Sequence, residues 1–229
     1  MNIDFVAHLN TLSAYAPTWG FAFIFVFMAV ESSFIPFPSE VVMVPAGFLA
    51  ARGELSCGVP SLDFTAAIVI GILGSLLGAY VNYFLARKMG DAFLRRYGKY
   101  FFLKPERLDR CEDIFRRYGD LTTFVCRLLP VIRQLISLPA GLAKMPLGRF
   151  TFFTAFGAGL WTALLASIGF YFGKATSDMT YAEVLDRSKE IVSRNYGWIL
   201  LGLACFCVLY VALQRRVMKA PAGRNGAKP

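Results

Sequence analysis

Charge is what this chain has least of. Only 17% of its 229 residues are Asp, Glu, Lys or Arg, while 56% are hydrophobic. Soluble domains carry about a quarter charged residues, so a soluble single domain is a poor description of this one. Histidine is nearly missing as well. His8 stands alone, and no Ser/His/Asp or Cys/His arrangement can be built around it, which argues against catalysis. The five cysteines, Cys57, Cys111, Cys126, Cys205 and Cys207, form no CxxC pair and are odd in number. That speaks against a disulfide scaffold and against a zinc site. No Lys or Arg precedes Arg52, so the basic start of a secretory signal peptide is absent and the first apolar stretch is expected to stay in the protein. On these grounds the chain is read as no enzyme, with no metal and no cofactor.

What the chain has instead is long uncharged runs. Phe64 to Ala86, Phe150 to Gly173 and Asn195 to Gln214 contain no Asp, Glu, Lys or Arg. At about 1.5 Å per helical residue each can cross a hydrocarbon core of about 30 Å. With an initial helix around Thr18 to Val30, this predicts an all-α integral membrane protein with about four transmembrane helices. The net charge of +9 sits beside these runs, which fits membrane-flanking loops better than a nucleic-acid surface. Between Arg87 and Asp120 ten basic residues face six acids, and five more basic residues follow Gln214. Both regions are expected in the cytoplasm, and with them both termini. Residues 1–214 are read as one membrane domain: a first repeat at about 31–86, a basic amphipathic linker at 87–120, a second repeat at about 121–173 and the last span at 195–214. Residues 215–229 are read as a disordered basic tail.

Two further apolar regions are interrupted. Ser32 to Ala51 contains Pro36, Pro38, Glu40 and Pro45, and Thr122 to Met145 contains Arg127, Pro130, Arg133 and Pro139. Proline breaks helices, and unpaired backbone survives at membrane depth only where it lines a protein cavity. Each region is therefore expected to form a re-entrant hairpin. The two are related: Pro45-Ala46-Gly47 recurs as Pro139-Ala140-Gly141, and each copy precedes a glycine-studded span, with Gly74 and Gly78 in one and Gly169 and Gly173 in the other. The charge argument opens one hairpin outward and the other inward, an inverted repeat of the kind that secondary transporters use.

Four ionisable residues lie within this apolar sequence, Glu31 and Glu40 in the first repeat and Arg127 and Arg133 in the second. Each costs about 2.5 to 3.5 kcal/mol at the centre of a bilayer, so they must meet one another, water or a substrate. Packing the hairpin tips together would pair carboxylates with guanidiniums, and such pairs could do no more than specify docking. Alternatively the arginines hold an anionic headgroup, because guanidinium matches phosphate bidentately, and the glutamates exchange protons. The prolines and glycines of the hairpins, Pro36, Pro38, Pro45, Gly47, Pro130, Pro139 and Gly141, would then shape the backbone around the anion.

At these residues the chain resembles the DedA family, the bacterial branch of the SNARE-associated (VTT) domain superfamily. The resemblance is carried by Glu31-Ser-Ser-Phe-Ile-Pro36-Phe-Pro38-Ser39-Glu40, the Pro-Ala-Gly-Phe-Leu-Ala that follows, the run from Gly74 to Gly90 with Tyr83, and Phe124-Val-Cys-Arg127-Leu-Leu-Pro130-Val-Ile-Arg133 through Gly141 to Met145. It covers roughly Thr18 to Lys174. It implies two opposed re-entrant hairpins and two acidic and two basic membrane-embedded residues required for function, matching Glu31, Glu40, Arg127 and Arg133. The Pro38-Ser39-Glu40 form is more similar to members that recycle undecaprenyl phosphate than to those with Asp in a Pro-Gly-Asp context. The implied function is a proton-coupled flippase of an anionic lipid carrier in the bacterial cytoplasmic membrane. Its partners would be a polyprenyl phosphate or anionic phospholipid and protons, without nucleic acid and with self-association left open. A proton-coupled carrier of a small ion or osmolyte is the alternative, and a lipid phosphatase stands behind both.

Overall fold

The computed structural model describes residues 2–33, 37–97, 121–127, 133 and 136–180, with short stretches between 183 and 205. Pro36, Pro130, most of the amphipathic linker expected at 87–120 and most of the span expected at 195–214 lie outside these residues, as does the tail. Among the described residues there is no strand. The helices are α1 (Asn2–Glu31), α2 (Glu40–Ala51), α3 (Pro60–Tyr97), α4 (Leu121–Arg127), α5 (Ser137–Leu142) and α6 (Leu147–Ala175). They belong to one compact unit, Met1–Asp178, and a second unit covers Met179–Pro229. In the second unit Thr180 and Glu183 form a reciprocal capping box: the Thr180 amide donates to Glu183 Oε2 at 2.8 Å and the Glu183 amide to Thr180 Oγ1 at 3.4 Å.

Among the described residues two helices have the length and composition of membrane spans, Pro60–Lys88 in α3 and Leu147–Ala175 in α6, each 29 residues. At 1.5 Å per residue that is about 44 Å, more than the hydrocarbon core requires. Only 33% and 39% of their most apolar windows are buried within the protein, so these are not the core helices of a soluble fold. Their outer faces are rows of large apolar side chains, Val69, Leu73, Leu77, Val81 and Phe84 on α3, and Phe152, Phe156, Leu160, Leu164 and Ile168 on α6, all exposed. Steps of three or four residues place each row on one face of its helix, and lipid is the solvent that suits such a face. The α3 helix changes direction just past its apolar part, at Gly90, whose φ of 72° is open to glycine at little cost.

The inner faces are lined by small residues. Ala16, Ala46, Ala50, Ala67 and Ala166 are buried with Ile24, Met28, Met43 and Leu165 where α1, α2, α3 and α6 meet. Close approach goes down to the backbone. A Cβ on Gly74 or Gly78 of α3 would overlap the Phe25 or Ala29 carbonyl of α1, and one on Gly169 of α6 would overlap the Val44 carbonyl of α2. Both GxxxG pairs are thus packing surfaces, as expected where apolar lipid gives helices no hydrophobic reason to associate.

Pro45 and Pro139 correct one sequence expectation, because neither interrupts a helix. Pro45 lies inside α2 and Pro139 is the third residue of α5. Pro139 falls in the first helical turn, where amides have no intrahelical acceptor to lose. Pro45 has no such excuse, and α2 continues through it because the following Ala46, Gly47 and Ala50 are buried against neighbouring helices. With 12 residues, α2 is about 18 Å long, too short to cross a bilayer by itself.

Candidate functional site

The last residue of α1, Glu31, is buried. A carboxylate at a helix C-terminus opposes the helix dipole, so its placement calls for compensation. Three neighbours provide it or hold the turn in place. Ser32 Oγ donates to Glu31 Oε2 at 2.9 Å. Arg133 Nη2 lies 2.8 Å from Glu31 Oε1, an ion pair without the alignment of a hydrogen bond. Asn82 of α3 donates from Nδ2 to the Ser32 carbonyl at 3.2 Å and pins the turn behind Glu31.

Glu40 opens α2, where a negative charge suits the helix N-terminus. Its Oε1 is 4.0 Å from the same Arg133 Nη2, and its side chain is 45% exposed against 4% for Glu31. Arg133 therefore stands between a buried acid and an open one. Arg127 ends α4 and is buried; its Nη2 donates to Ser137 Oγ, the first residue of α5, at 3.2 Å. Gly157 of α6 makes room for it, since a Cβ there would stand 3.0 Å from Arg127 Cβ.

Some of these side chains meet at one small, partly open cavity, lined by Glu31, Arg127 and Arg133, by Ser32, Ser75 and Thr162, and by Met28, Ala158 and Trp161. The Nε atoms of both arginines are buried with no hydrogen-bond partner among the described residues. A guanidinium carries five N–H donors in a planar fork, so the cavity wall has donors to spare for an acceptor-rich, anionic ligand.

Three of the four charged residues singled out in the sequence, Glu31, Arg127 and Arg133, line one cavity, and Glu40 is tied to them through Arg133 at 4.0 Å. Pro38 is exposed beside Ser39. Pro45, Gly47, Pro139 and Gly141 lie instead where helices touch: a Cβ on Gly47 would overlap the Ala166 carbonyl of α6, and one on Gly141 the Tyr83 carbonyl of α3. Sequence reasoning missed Ser137, Ser39 and Trp161. Trp161 Nε1 donates to Ser39 Oγ at 3.1 Å, and the Arg133 guanidinium carbon lies 5.3 Å from the Trp161 ring centroid. The available signal was a tryptophan in the middle of an uncharged span, whose indole N–H needs a partner.

Lipid-facing helices around a cavity of mixed charge define an integral membrane protein. Residues 37–171 match the VTT domain profile, and the chain belongs to the VTT domain family. It is 36% identical to a Lactococcus lactis subsp. cremoris protein named alkaline phosphatase-like protein, over 82% of this chain and 85% of that one. It is 31% identical to undecaprenyl phosphate transporter A of Bacillus subtilis, over 78% of this chain and 82% of the relative. To the protein of the same name in Staphylococcus aureus it is 26% identical, over 90% and 98%. No solved structure matches the chain.

Proposed function

We propose that this protein is a translocase of an anionic lipid carrier, a polyprenyl phosphate such as undecaprenyl phosphate, in the bacterial cytoplasmic membrane. The observation that carries the proposal is the pair of arginines lining one cavity, each with a buried Nε that has no hydrogen-bond partner among the described residues. Burying two cations among lipid-facing helices is costly unless an anion joins them. Arg127 and Arg133 hold the phosphate, whose oxygens take the donors that the protein leaves open. Glu31 competes with that anion, because its carboxylate pairs with Arg133. Phosphate entry releases Glu31, which takes up a proton and removes its own competing charge. Glu40, the more exposed of the two acids, exchanges that proton with water. Transport is therefore coupled to protons.

The architecture that supports this reading is reciprocal. The Pro-Ala-Gly of α2 rests on α6, the long helix that follows the second copy, and the Pro-Ala-Gly of α5 rests on α3, the long helix that follows the first. An inverted repeat of two re-entrant segments with a midplane site fits this exchange. The relatives named undecaprenyl phosphate transporter A supply the substrate class.

Reconstitution tests the proposal. Purified protein in vesicles should move a polyprenyl phosphate between leaflets and leave the uncharged polyprenol in place. Equal movement of both would remove the phosphate from the mechanism. Proton flux without any lipid would favour the small-ion carrier. The phosphatase reading rests on the name of the Lactococcus relative, and release of inorganic phosphate by the purified protein would replace transport with hydrolysis.

A further inference from the structure

We infer that Trp161 is a positioning residue for Arg133, an aromatic shelf along which the guanidinium passes between Glu31 and Glu40; this rests on the translocase reading above. Three contacts carry the inference. The guanidinium lies over the indole at 5.3 Å, within the range where a cation is attracted to the ring face. The same Nη2 has both carboxylates within 4.0 Å, one buried and one open. The indole N–H is fixed to Ser39 Oγ, the residue immediately before Glu40.

Ser39 immediately precedes α2 with φ −62° and ψ −20°, a helical conformation in which its hydroxyl makes no side-chain cap hydrogen bond, and its oxygen accepts from Trp161. The arrangement ties the plane beneath Arg133 to the residue next to Glu40. When Arg133 leaves Glu31, the ring keeps it facing Glu40, and the ring attracts the cation without fixing it to one acid, as a carboxylate in that position would.

Among the described residues the charged groups facing Arg133 are Glu31 from α1, Glu40 from α2 and Arg127 from α4. A shelf that guides Arg133 between these acids affects turnover more than binding. In vesicles containing a polyprenyl phosphate, Trp161→Leu should lower the maximal rate per folded protein about tenfold, with little change in the half-saturating mole fraction. Trp161→Phe keeps a ring under the cation, and it and Ser39→Ala should each cost about threefold. The double variant should be no worse than either single change, because both remove the same bond. Wild-type rates in Trp161→Leu, or losses that add in the double variant, would overturn the inference.

Fluorescence provides a readout that needs no lipid and so separates the shelf from the transport reading. With Trp19→Phe and Trp198→Phe, Trp161 is the sole tryptophan. Glu31→Gln frees the guanidinium and should shift its emission, and Arg133→Gln should abolish that shift. An emission indifferent to both changes would defeat the shelf even if transport is intact. A wild-type protein that moves no lipid but gives the shift would defeat the translocase alone.

Discussion

Helices α2 and α5 share a backbone plan and differ in what they carry. Each contains Pro-Ala-Gly, and each sets the glycine on a carbonyl of a long helix, Gly47 on Ala166 and Gly141 on Tyr83. Each also ends in a Schellman motif. Gly53 N donates to Ala50 O at 3.0 Å and Glu54 N to Leu49 O at 3.0 Å after α2, and Lys144 N to Gly141 O at 3.1 Å and Met145 N to Ala140 O at 3.0 Å after α5. The differences are length, 12 residues against six, and charge, since α2 begins at Glu40 while Arg133 precedes α5. One supporting scaffold has been used twice, once to present an acid and once to stand beside the bases. The scaffold therefore accounts for the packing, and the charges call for a separate explanation.

The largest expected effect breaks the comparison on its charged side. Arg133→Ala leaves Glu31 buried without its ion pair, which costs about 3–5 kcal/mol, and it should abolish lipid transport. Unfolding in detergent micelles and a vesicle assay measure the two losses separately. Next come the shared glycines. Gly47→Ala and Gly141→Ala each push a methyl group into a carbonyl and should destabilise by about 1–3 kcal/mol. Thermal midpoints that fall for one and not the other would mean that only one contact is structural.

The caps sharpen the comparison at a smaller scale. Lys144 occupies the left-handed C′ position with φ of 52°, where α2 uses Gly53 with φ of 67°. Lys144→Gly should stabilise by about 1 kcal/mol and Gly53→Ala destabilise by about the same. The smallest effect lies outside the membrane helices. The Thr180 amide, and then its hydroxyl, hold the Glu183 carboxyl below its ordinary range. A depressed carboxyl stabilises its turn above the ordinary pKa and loses that contribution as the pH falls through the lowered value. The Thr180 amide resonance should titrate there, and Glu183→Gln should remove the titration.

Much of this was legible in the sequence. The uncharged runs announced α3 and α6 because lipid imposes length and composition together. Glu31, Glu40, Arg127 and Arg133 stood out because charge in apolar sequence needs a reason. The continuation of α2 through Pro45 was not legible, since local propensity forbids it and only burial against neighbouring helices reverses that preference. Ser39, Ser137 and Trp161 escaped for a different reason. Hydroxyls and indoles are common in apolar segments, and only the fold reveals which of them touch a guanidinium or the ring beside one.

The question that matters most is whether the buried ion pair serves transport or only docks the two halves. Replacing both partners with apolar residues of similar size, Glu31→Leu with Arg133→Met, separates these roles, because a buried pair exchanged for good packing is often neutral or stabilising. The measurement is polyprenyl phosphate movement in vesicles by the double variant, alongside its unfolding midpoint. A folded protein with a midpoint at or above wild type and no lipid movement is the result the translocase account predicts. Lipid movement at the wild-type rate with both charges gone would contradict it.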